Sequence, residues 1–304
     1  MSNIDDILKR WKDIANVSAV RTKPYEYYTT SFPSLNKALG TPGFRGGTML
    51  QLVAQNRTGK TTLAADIVAN AQKDGHKCAW IDYECQYDPS YSEKLGIDNS
   101  NLILVHPTYI NTGSQISEEL MEAGVKVIVV DSAPEAQHAS EADNKMTDNQ
   151  RAMGTSGDWT RHLKRMKPIM YNNDALYVVI NQFRANTNPK SPKLFDYWGC
   201  AEIQYTSGYI IEMVRIKNEE GKATVQCTVI KSKATGNEGH KAELILQHGK
   251  GFRADLDIIN AAIEAEIITQ RGAWLSFGEL KAAGKENASL TFPIDEIRKA
   301  LTNV

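Results

Sequence analysis

A glycine-lysine-threonine triplet between two regular segments constrains the fold of this chain more than any other feature. Residues 48–54, TMLQLVA, form an apolar run typical of a β-strand, and residues 62–72, TLAADIVANAQ, have a helical composition. Between them lies AQNRTGKTT, residues 54–62, which contains Gly59, Lys60 and Thr61. A buried strand, a tight turn and a helix in this order form a unit of α/β folds.

Four further apolar runs follow along the chain. They are KCAWID at 77–82, LILVHP at 102–107, VKVIVVD at 125–131 and ALYVVINQ at 175–182. Each lies between helical or loop segments, and strands that are apolar throughout are typical of a parallel sheet covered on both faces. The sequence therefore predicts an α/β fold with a mostly parallel central sheet.

The pattern changes after residue 208. The runs GYIIEMVRIK, ATVQCTVIKSK and AELILQ follow one another without helices, and NEEGK at 218–222 predicts a hairpin turn. We expect these strands to extend the sheet in antiparallel fashion. Residues 256–268 are helical in pattern, 271–288 indicate short strands or turns, and 294–304 indicate a final helix. The predicted division is an N-terminal helix and oligomerisation arm at 1–30, a core at 31–255 and a small C-terminal subdomain at 256–304.

The predicted N-terminal helix covers residues 3–15. Ile4, Ile7, Leu8 and Trp11 occur at helical spacing and give it one apolar face. This face either covers the chain's own core or docks on a neighbouring subunit.

Composition excludes several classes of protein. The net charge is -1, so any binding of nucleic acid requires basic residues that are concentrated locally. No apolar run has the length of a membrane-spanning helix, and the N-terminus lacks the apolar segment of a signal peptide. The four cysteines form no C-x-x-C pair, which indicates a reducing compartment and no zinc site. We expect a cytoplasmic protein without membrane partners.

The segment AQNRTGKTT matches the phosphate-binding pattern G-x-x-x-x-G-K-[ST] except at its first position, which is Ala54. Such a loop points backbone N–H groups at a phosphate, and the following helix adds its N-terminal dipole. Lys60 would reach the β- and γ-phosphates of ATP, and the Thr61 hydroxyl would bind Mg²⁺. A methyl group at position 54 is tolerated if its φ is negative. The predicted nucleotide-binding residues of the loop are Gln55, Asn56, Arg57, Thr58, Gly59, Lys60, Thr61 and Thr62.

Two carboxylates follow predicted strands. Asp131 ends VKVIVVD and is predicted to orient the Mg²⁺ through water. Alone, such an aspartate is often a helix cap. Glu84 lies two residues beyond KCAWID, where active-site residues gather in open α/β sheets. It could polarise the water that attacks the γ-phosphate, although an isolated glutamate there is usually a surface residue.

The order of the motifs resembles the RecA family of homologous-recombination ATPases. The motifs are AQNRTGKTT, IDYECQYDPSYSEKLGID, VIVVDS, INQFR, VIKSK and RGAWLSF followed by GKENA. UvsX-type recombinases of bacteriophages are also similar, through VRTK at 20–23 and DWTRHLKRMKP at 158–168. The resemblance covers roughly residues 20–290, and it implies a RecA-like core with a small C-terminal subdomain.

The resemblance implies roles for single residues. Glu84 matches the glutamate that activates water. Gln182 matches the glutamine that senses the γ-phosphate and transmits its presence to the DNA-binding loop. Asp88 and Tyr91 match residues that contact adenine. Lys231 and Lys233 resemble a lysine pair that crosses the filament interface to the neighbour's ATP. Without the other motifs, I-K-S-K would be interpreted as a strand end with solvated lysines.

Two irregular stretches, 132–157 and 183–207, match the family's DNA-binding loops in position. In the second, the cations Arg184, Lys190 and Lys193 are interleaved with aromatic residues at 195, 197 and 198, a composition that suits single strands. These aromatic rings either stack on bases or pack the loop onto the protein.

The first loop is acidic in its middle, and its predicted DNA-binding residues are Arg151, Arg161, Lys164 and Arg165. The last three share one helix face, which could also be a solvated surface.

The resemblance implies a DNA-dependent ATPase that forms a head-to-tail helical filament on single-stranded DNA. Such a protein pairs this strand with homologous double-stranded DNA and promotes strand exchange, in a bacterium or as a phage protein in the host cytoplasm. A ring-shaped helicase or translocase is one alternative, although those motors present an arginine where this chain has K-S-K. A nucleotide-dependent scaffold without hydrolysis is another, which Ala54 permits and Glu84 disfavours.

Overall fold

The computed structural model describes residues 24–139, 153–185 and 195–302, together with residues 6 and 9. The helix predicted at 3–15 therefore lies outside the described residues except for Asp6 and Lys9, both of which are helical. Among the described residues, no helix is both long enough and apolar enough to cross a membrane.

The secondary structure alternates strands and helices up to residue 206 and then becomes mainly β. The strands are β1 Tyr27–Thr29, β2 Gly43–Arg45, β3 Thr48–Ala54, β4 Cys78–Asp82, β5 Leu102–Val105, β6 Val127–Asp131, β7 Leu176–Ala185, β8 Phe195–Tyr197, β9 Ser207–Glu219, β10 Lys222–Ser232, β11 Lys241–Gln247, β12 Gly251–Phe252, β13 Thr269–Arg271, β14 Trp274–Phe277 and β15 Leu280–Ala283. The α-helices are α1 Pro33–Leu39, α2 Lys60–Lys73, α3 Pro89–Lys94, α4 Ile110–Glu122, α5 Met153–Asn173, α6 Ala201–Thr206, α7 Ala254–Glu264, α8 Lys285–Thr291 and α9 Ile294–Thr302.

One large sheet organises the molecule, with the strand order β12-β11-β10-β9-β3-β7-β6-β4-β5, and β8 pairs with β7. From β9 to β5 all neighbouring strands are parallel. From β9 to β12 they are antiparallel. The predicted α/β fold with a mostly parallel sheet and antiparallel additions is confirmed.

The sheet is covered on both faces in its centre. Every residue of β3, β4 and β6 is buried, because alternate side chains enter two different apolar clusters. Leu50 and Leu52 of β3 lie in one cluster, which helix α2 covers, whereas Met49 lies in the other, which helix α5 covers. The phosphate-loop segment thus leaves the sheet from a strand that is buried on both faces.

Two details of the sheet differ from the predictions. The strand β5 is not covered on both faces: Ile103 and Leu104 are each 37% exposed, because β5 is the last strand at one edge. The run at 208–217 is not wholly an antiparallel addition, since β9 pairs in parallel with β3 and in antiparallel with β10. The short helix α6 lies directly before β9. It returns the chain to the end of the sheet at which the parallel strands begin, so β9 runs in the same direction as β3.

The C-terminal elements enclose a third apolar cluster. Helices α7, α8 and α9 and the three-stranded sheet β13-β14-β15 contribute its residues, among them Leu275, Ala288 and Phe292. The segment Lys285–Thr291 forms helix α8, whereas strands or turns were expected as far as residue 288. Its Ala288 is fully buried, so tertiary packing stabilises a helix that the glycine- and charge-rich sequence did not indicate.

Candidate active site

The phosphate loop begins without strain at Ala54. This residue is the last of β3, and it pairs with Gln182 on one side and Met213 on the other. It therefore has the extended conformation of a strand, which accepts a methyl group readily. The left-handed positions of the loop come later, at Arg57 with φ 61° and Gly59 with φ 101°. The missing first glycine thus leaves the turn intact.

Gly59 is the position of the loop that requires glycine. Besides its positive φ, it has no room for a side chain, since a Cβ atom there would lie 2.7 Å from Cζ of Phe252. Phe252 belongs to β12, so an element distant in sequence packs directly on the phosphate loop.

Lys60 is the buried cation at the centre of the loop. Its side chain is 7% exposed, and Nζ donates hydrogen bonds to the carbonyl oxygens of Ala54 (3.2 Å) and Gln55 (3.1 Å). Burial lowers its pKa, while the negative charges of Asp131 and Glu84 act to raise it. An ammonium group has three donors, so the third N–H remains for a phosphate oxygen.

A hydroxyl and a carboxylate meet beside the loop. The Thr61 hydroxyl donates to Oδ2 of Asp131 at 3.1 Å, and Asp131 ends strand β6 with 7% exposure. Hard oxygen ligands of this kind suit Mg²⁺, which usually keeps several waters and binds substrate phosphates. Within the described ranges, no group of three or more His, Cys, Asp and Glu side chains is arranged to hold a metal ion. The residues present therefore fit an ion that is shared with a nucleotide.

Asp131 carries a strongly perturbed carboxyl group. Burial, and after it the negative charge of Glu84, raises the pKa of Asp131 to about 7, although the hydrogen bond from Thr61 acts in the opposite direction. In the nucleotide-free protein the folded carboxyl keeps a proton that the unfolded chain releases near its ordinary pKa of 3.8. Its protonation stabilises the fold at low pH, and this contribution is lost as the pH rises from about 4 to about 7.

Asp131→Asn should therefore stabilise the protein in the absence of metal and nucleotide, and more so at high pH. We expect the free energy of unfolding to increase by about 1–3 kcal/mol at pH 8.5 and by much less at pH 5. Urea unfolding with a chelator present measures both values. Asp74→Asn, which changes an exposed residue after helix α2, is the control and should show no such difference. Equal effects of Asp131→Asn at the two pH values would contradict the raised pKa.

Glu84 lies at the same edge of the sheet, and its position is held by β4 and β6. The Ser132 hydroxyl donates to Oε1 of Glu84 at 2.6 Å, and the amide of Tyr83 donates to the carbonyl oxygen of Asp131 at 2.7 Å. The buried Asp82 accepts from the Glu84 amide at 3.0 Å and so shapes the turn. Sequence reasoning missed both residues, although Asp82 ends one predicted strand and Ser132 directly follows another. The peptide bond between residues 131 and 132 is cis.

The two residues predicted to contact adenine lie at the start of helix α3. Asp88 accepts hydrogen bonds from the amides of Ser90 (2.9 Å) and Tyr91 (3.2 Å), so it is the N-cap of this helix. The hydroxyl of Tyr91 lies 3.5 Å from Oγ1 of Thr62, at the first turn of α2. Of the two, only Tyr91 lines the cavity at the phosphate loop.

That cavity has a volume of about 320 Å³ and lies over the first turn of α2. Its walls are residues 57–62, Tyr91, the end of β11 with Leu246 and Gln247, and the following turn with His248 and Gly249. Sequence reasoning missed this turn, because nothing local marks it as close to the phosphate loop. A second cavity of about 580 Å³ borders Gln55 and Asn56 on the other side of the loop.

Gln182 lies where the phosphate loop and the second predicted DNA-binding loop meet. It pairs with Ala54 across β3 and β7, and its carbonyl oxygen accepts from the Trp198 amide at 2.9 Å. Arg215 of β9, which was not among the predicted site residues, donates a hydrogen bond to the carbonyl oxygen of Arg57. Both contacts join the phosphate loop to segments that line the larger cavity.

Lys231 and Lys233 lie elsewhere in the single chain. Nζ of Lys231 donates to the carbonyl oxygen of Gln204 at 2.6 Å, and Nζ of Lys233 donates to that of Tyr205 at 3.1 Å. These carbonyls belong to the last turn of α6, where cations are stabilising. Burial, followed by the charge of Lys233, lowers the pKa of Lys231. Neither lysine lines the cavity at the phosphate loop, and their contact with a neighbour's ATP stays a prediction.

The predicted DNA-binding cations on helix α5 are exposed, but acidic residues accompany them. Arg161 lies 3.6 Å from Asp158, and Arg165 lies 2.6 Å from the buried carboxylate of Glu118. Lys164 is exposed on the same helix. The ion pairs reduce the positive potential of this face, and its binding of DNA stays a prediction. Arg151, Lys190 and Lys193 lie outside the described residues.

The aromatic residues after β7 mostly pack on the protein. Phe183 contacts the ring of Tyr197 at a centroid distance of 5.7 Å, and the Tyr197 hydroxyl donates to Glu212 at 3.1 Å. The guanidinium of Arg184 lies 5.5 Å from the ring centre of Trp198. Phe195 is 49% exposed, so its ring remains accessible.

Comparison with known proteins identifies the family to which the chain is similar. The family model described as the RecA N-terminal domain matches residues 3–252. Proteins named RecA from Wolinella succinogenes and Aquifex pyrophilus are each 30% identical to this chain, over 270 and 285 residues. These matches cover 86% and 90% of this chain and 76% and 80% of the relatives. The RecA protein of Sulfurimonas denitrificans is 29% identical over 284 residues, which is 90% of this chain and 81% of the relative. Because the family model matches most of its length, the chain belongs to the RecA family.

Proposed function

We propose that this protein is an ATP-dependent DNA recombinase that forms a helical filament on single-stranded DNA. The observation that supports the proposal best is the convergence of Lys60, Thr61, Asp131 and Glu84 at one edge of the parallel sheet. Pairing with homologous double-stranded DNA and strand exchange would follow filament assembly. The family is one of ATP-hydrolysing proteins, and hydrolysis stimulated by DNA is part of the proposal.

The triphosphate of ATP would lie on the first turn of α2, where backbone N–H groups lack helical partners. Lys60 would donate its third N–H to a phosphate oxygen. Thr61 and, through water, Asp131 would hold Mg²⁺, which offsets phosphate charge when bound. Tyr91 and His248 lie on the walls of the same cavity and would flank the adenine base. The position of Asp88 as a helix cap makes its part indirect, through the placement of Tyr91.

Hydrolysis would use Glu84 as the general base. Its carboxylate accepts a proton from the attacking water while the water oxygen bonds to the γ-phosphorus. The bond from that phosphorus to the bridging oxygen breaks, and ADP leaves with the electron pair. Ser132 holds one oxygen of Glu84 by its 2.6 Å hydrogen bond, so the other oxygen is directed to water. Because Glu84 is exposed, it returns the proton to solvent.

The partners would be single-stranded DNA, homologous double-stranded DNA and further copies of the chain. A head-to-tail contact that does not close gives an open filament, in which Lys231 and Lys233 of one subunit approach the ATP of the next. Arg184 and the loop after it, with Lys190 and Lys193, would contact the strand. The action would take place in the cytoplasm, and since the relatives named above are bacterial, a phage origin has no support among them.

Electron microscopy with single-stranded DNA and a slowly hydrolysed ATP analogue tests the proposal. Helical filaments are expected, whereas closed rings would favour the helicase or translocase alternative. ATP turnover measured with and without DNA tests stimulation, and absent turnover would favour the scaffold. A strand-exchange assay with homologous and unrelated duplexes tests the final activity.

Glu84→Gln should separate nucleotide binding from hydrolysis. The amide cannot accept the proton from water, so we expect turnover to fall by about 10²–10⁴-fold. The affinity for ATP should change little, because the phosphate contacts of the loop remain. Glu93→Gln, at an exposed residue of α3, is the matched control. Turnover near that of the unmodified protein would remove Glu84 from the proposed step.

A further inference from the structure

The side chain of Arg253, the residue after β12, makes five hydrogen bonds. A guanidinium has five N–H donors, and here every one has an acceptor. The contacts are Nε to Oδ1 of Asp255 at 2.9 Å, Nη2 to Oδ2 of Asp255 at 2.6 Å, Nη1 to Oε1 of Gln247 at 2.9 Å, Nη1 to Oε2 of Glu286 at 3.1 Å and Nη2 to Oγ of Ser289 at 3.2 Å. The side chain is 18% exposed, so these bonds are partly shielded from water.

One side of Arg253 contacts a residue that lines the candidate nucleotide cavity. Gln247, the last residue of β11, lines that cavity, and Arg253 directly follows β12. Phe252, its chain neighbour, packs on Gly59 of the phosphate loop so closely that a Cβ atom at Gly59 would lie 2.7 Å away. Within the segment 247–253, Gln247, His248 and Gly249 line the cavity, and Phe252, later in the chain, packs on the phosphate loop.

The other side of Arg253 faces the C-terminal elements. Glu286 and Ser289 belong to helix α8, which lies in the third apolar cluster together with α7 and α9. The second carboxylate oxygen of Glu286 lies 3.8 Å from Nζ of Lys222 at the start of β10. One guanidinium thus connects the cavity wall with a helix of the C-terminal subdomain.

A purely structural role would be to start helix α7. The bidentate pair of Arg253 with Asp255, in the first turn of α7, is sufficient for that purpose. It does not account for the bonds to Gln247 and to α8, which lie on different elements. The fixed fork of arginine can hold all of these acceptors at once, and lysine cannot.

We propose that Arg253 is a positioning residue that couples the nucleotide cavity to helix α8. The proposal rests on the proposed nucleotide site. A nucleotide that contacts the β11–β12 turn holds Gln247, and Arg253 passes this restraint to Glu286 and Ser289. Because coupling is reciprocal, a ligand that holds α8 strengthens nucleotide binding by the same factor.

Hydrogen–deuterium exchange of residues 285–291, with and without a slowly hydrolysed ATP analogue, tests the coupling. In the unmodified protein the analogue should slow exchange in α8 by about 5-fold or more. Glu286→Gln combined with Ser289→Ala should reduce this effect to less than about 2-fold. Glu279→Gln, which removes one exposed carboxylate of the same subdomain, should behave as the unmodified protein. Analogue affinity is measured for each protein.

Arg253→Gln gives a second measurement on the other side of the link. It frees Gln247, so the dissociation constant of the analogue should rise by about 5- to 20-fold. Lys250→Gln, an exposed residue of the same turn, removes the same charge and should have no effect. Arg253→Lys should not restore affinity, because lysine lacks the fork. If Arg253→Gln does not fold, the double variant decides alone.

The outcomes separate this proposal from the proposed function. Binding of the analogue without any response of α8 in the unmodified protein overturns the coupling and leaves the nucleotide site standing. An equal response of α8 in the double variant overturns it as well. Absence of analogue binding in the unmodified protein overturns both.

Discussion

Replacing Lys60 by methionine is expected to abolish ATP binding while the protein stays folded. The ammonium supplies the buried positive charge of the phosphate loop, and charge-assisted hydrogen bonds to phosphate contribute about 1.5–3 kcal/mol each. We expect the dissociation constant of ATP to rise by about 10²-fold or more. Hydrolysis of ATP should be lost together with its binding. Calorimetric titration with ATP and Mg²⁺ measures the change directly.

The folding of this variant provides an internal check. Burial lowers the pKa of Lys60, which shows that the charged form is disfavoured in the nucleotide-free fold. Methionine fills a similar volume without a charge, so the free energy of unfolding should be unchanged or higher by about 1 kcal/mol. Lys73→Met, at the exposed end of the same helix, should retain binding. Tight ATP binding by Lys60→Met would refute the loop assignment.

Replacing Lys231 and Lys233 together by alanine should remove DNA-stimulated turnover. A cation supplied by a neighbour to transferring phosphate contributes about 10³–10⁵-fold in comparable enzymes, and a loss of this order is expected. In the single chain, Nζ of each lysine donates a hydrogen bond to a carbonyl oxygen of α6. The affinity of the monomer for ATP should therefore change by less than about 2-fold. Turnover is measured with and without single-stranded DNA.

A mixing experiment distinguishes this role from mere support of α6. Glu84→Gln subunits bind ATP and retain both lysines, while the double-alanine subunits retain Glu84. Neither protein alone should hydrolyse ATP at an appreciable rate. In an equimolar filament about one interface in four combines an intact Glu84 with intact lysines, and activity should reappear. A mixture as inactive as its components would remove the role in trans.

Local pattern was sufficient to predict the elements that form the proposed phosphate site. The loop lies between a strand and a helix that adjoin it in the chain, so its geometry depends on neighbouring residues and turn chemistry. The same holds for Asp131 and Glu84, because carboxyl ends of parallel strands always meet at one edge. Strands β3, β4 and β6 were predictable for a similar reason, since burial on both faces requires unbroken apolar runs.

Other features depend on contacts between segments that are distant in the chain. The direction of β9 beside β3, the exposure of β5 and the helix at Lys285–Thr291 result from the position of each element in the assembled fold. The cavity wall at Gln247 and His248 is brought to the phosphate loop by the sheet order and not by any local signal. Sequence periodicity reports which face of an element is apolar, but it does not report which partner covers that face.

By itself, the sequence determined the α/β class, the phosphate loop and the residues that adjoin it, because these follow from periodicity and turn chemistry over a few neighbouring residues. Only the tertiary structure decided that Ala54 is harmless in a strand, that Asp88 caps a helix and that Lys231 and Lys233 lie away from their own chain's cavity. It also decided that Arg253 joins the cavity wall to α8. These outcomes depend on long-range packing, in which the free energy of each contact is set by elements that lie far apart along the chain.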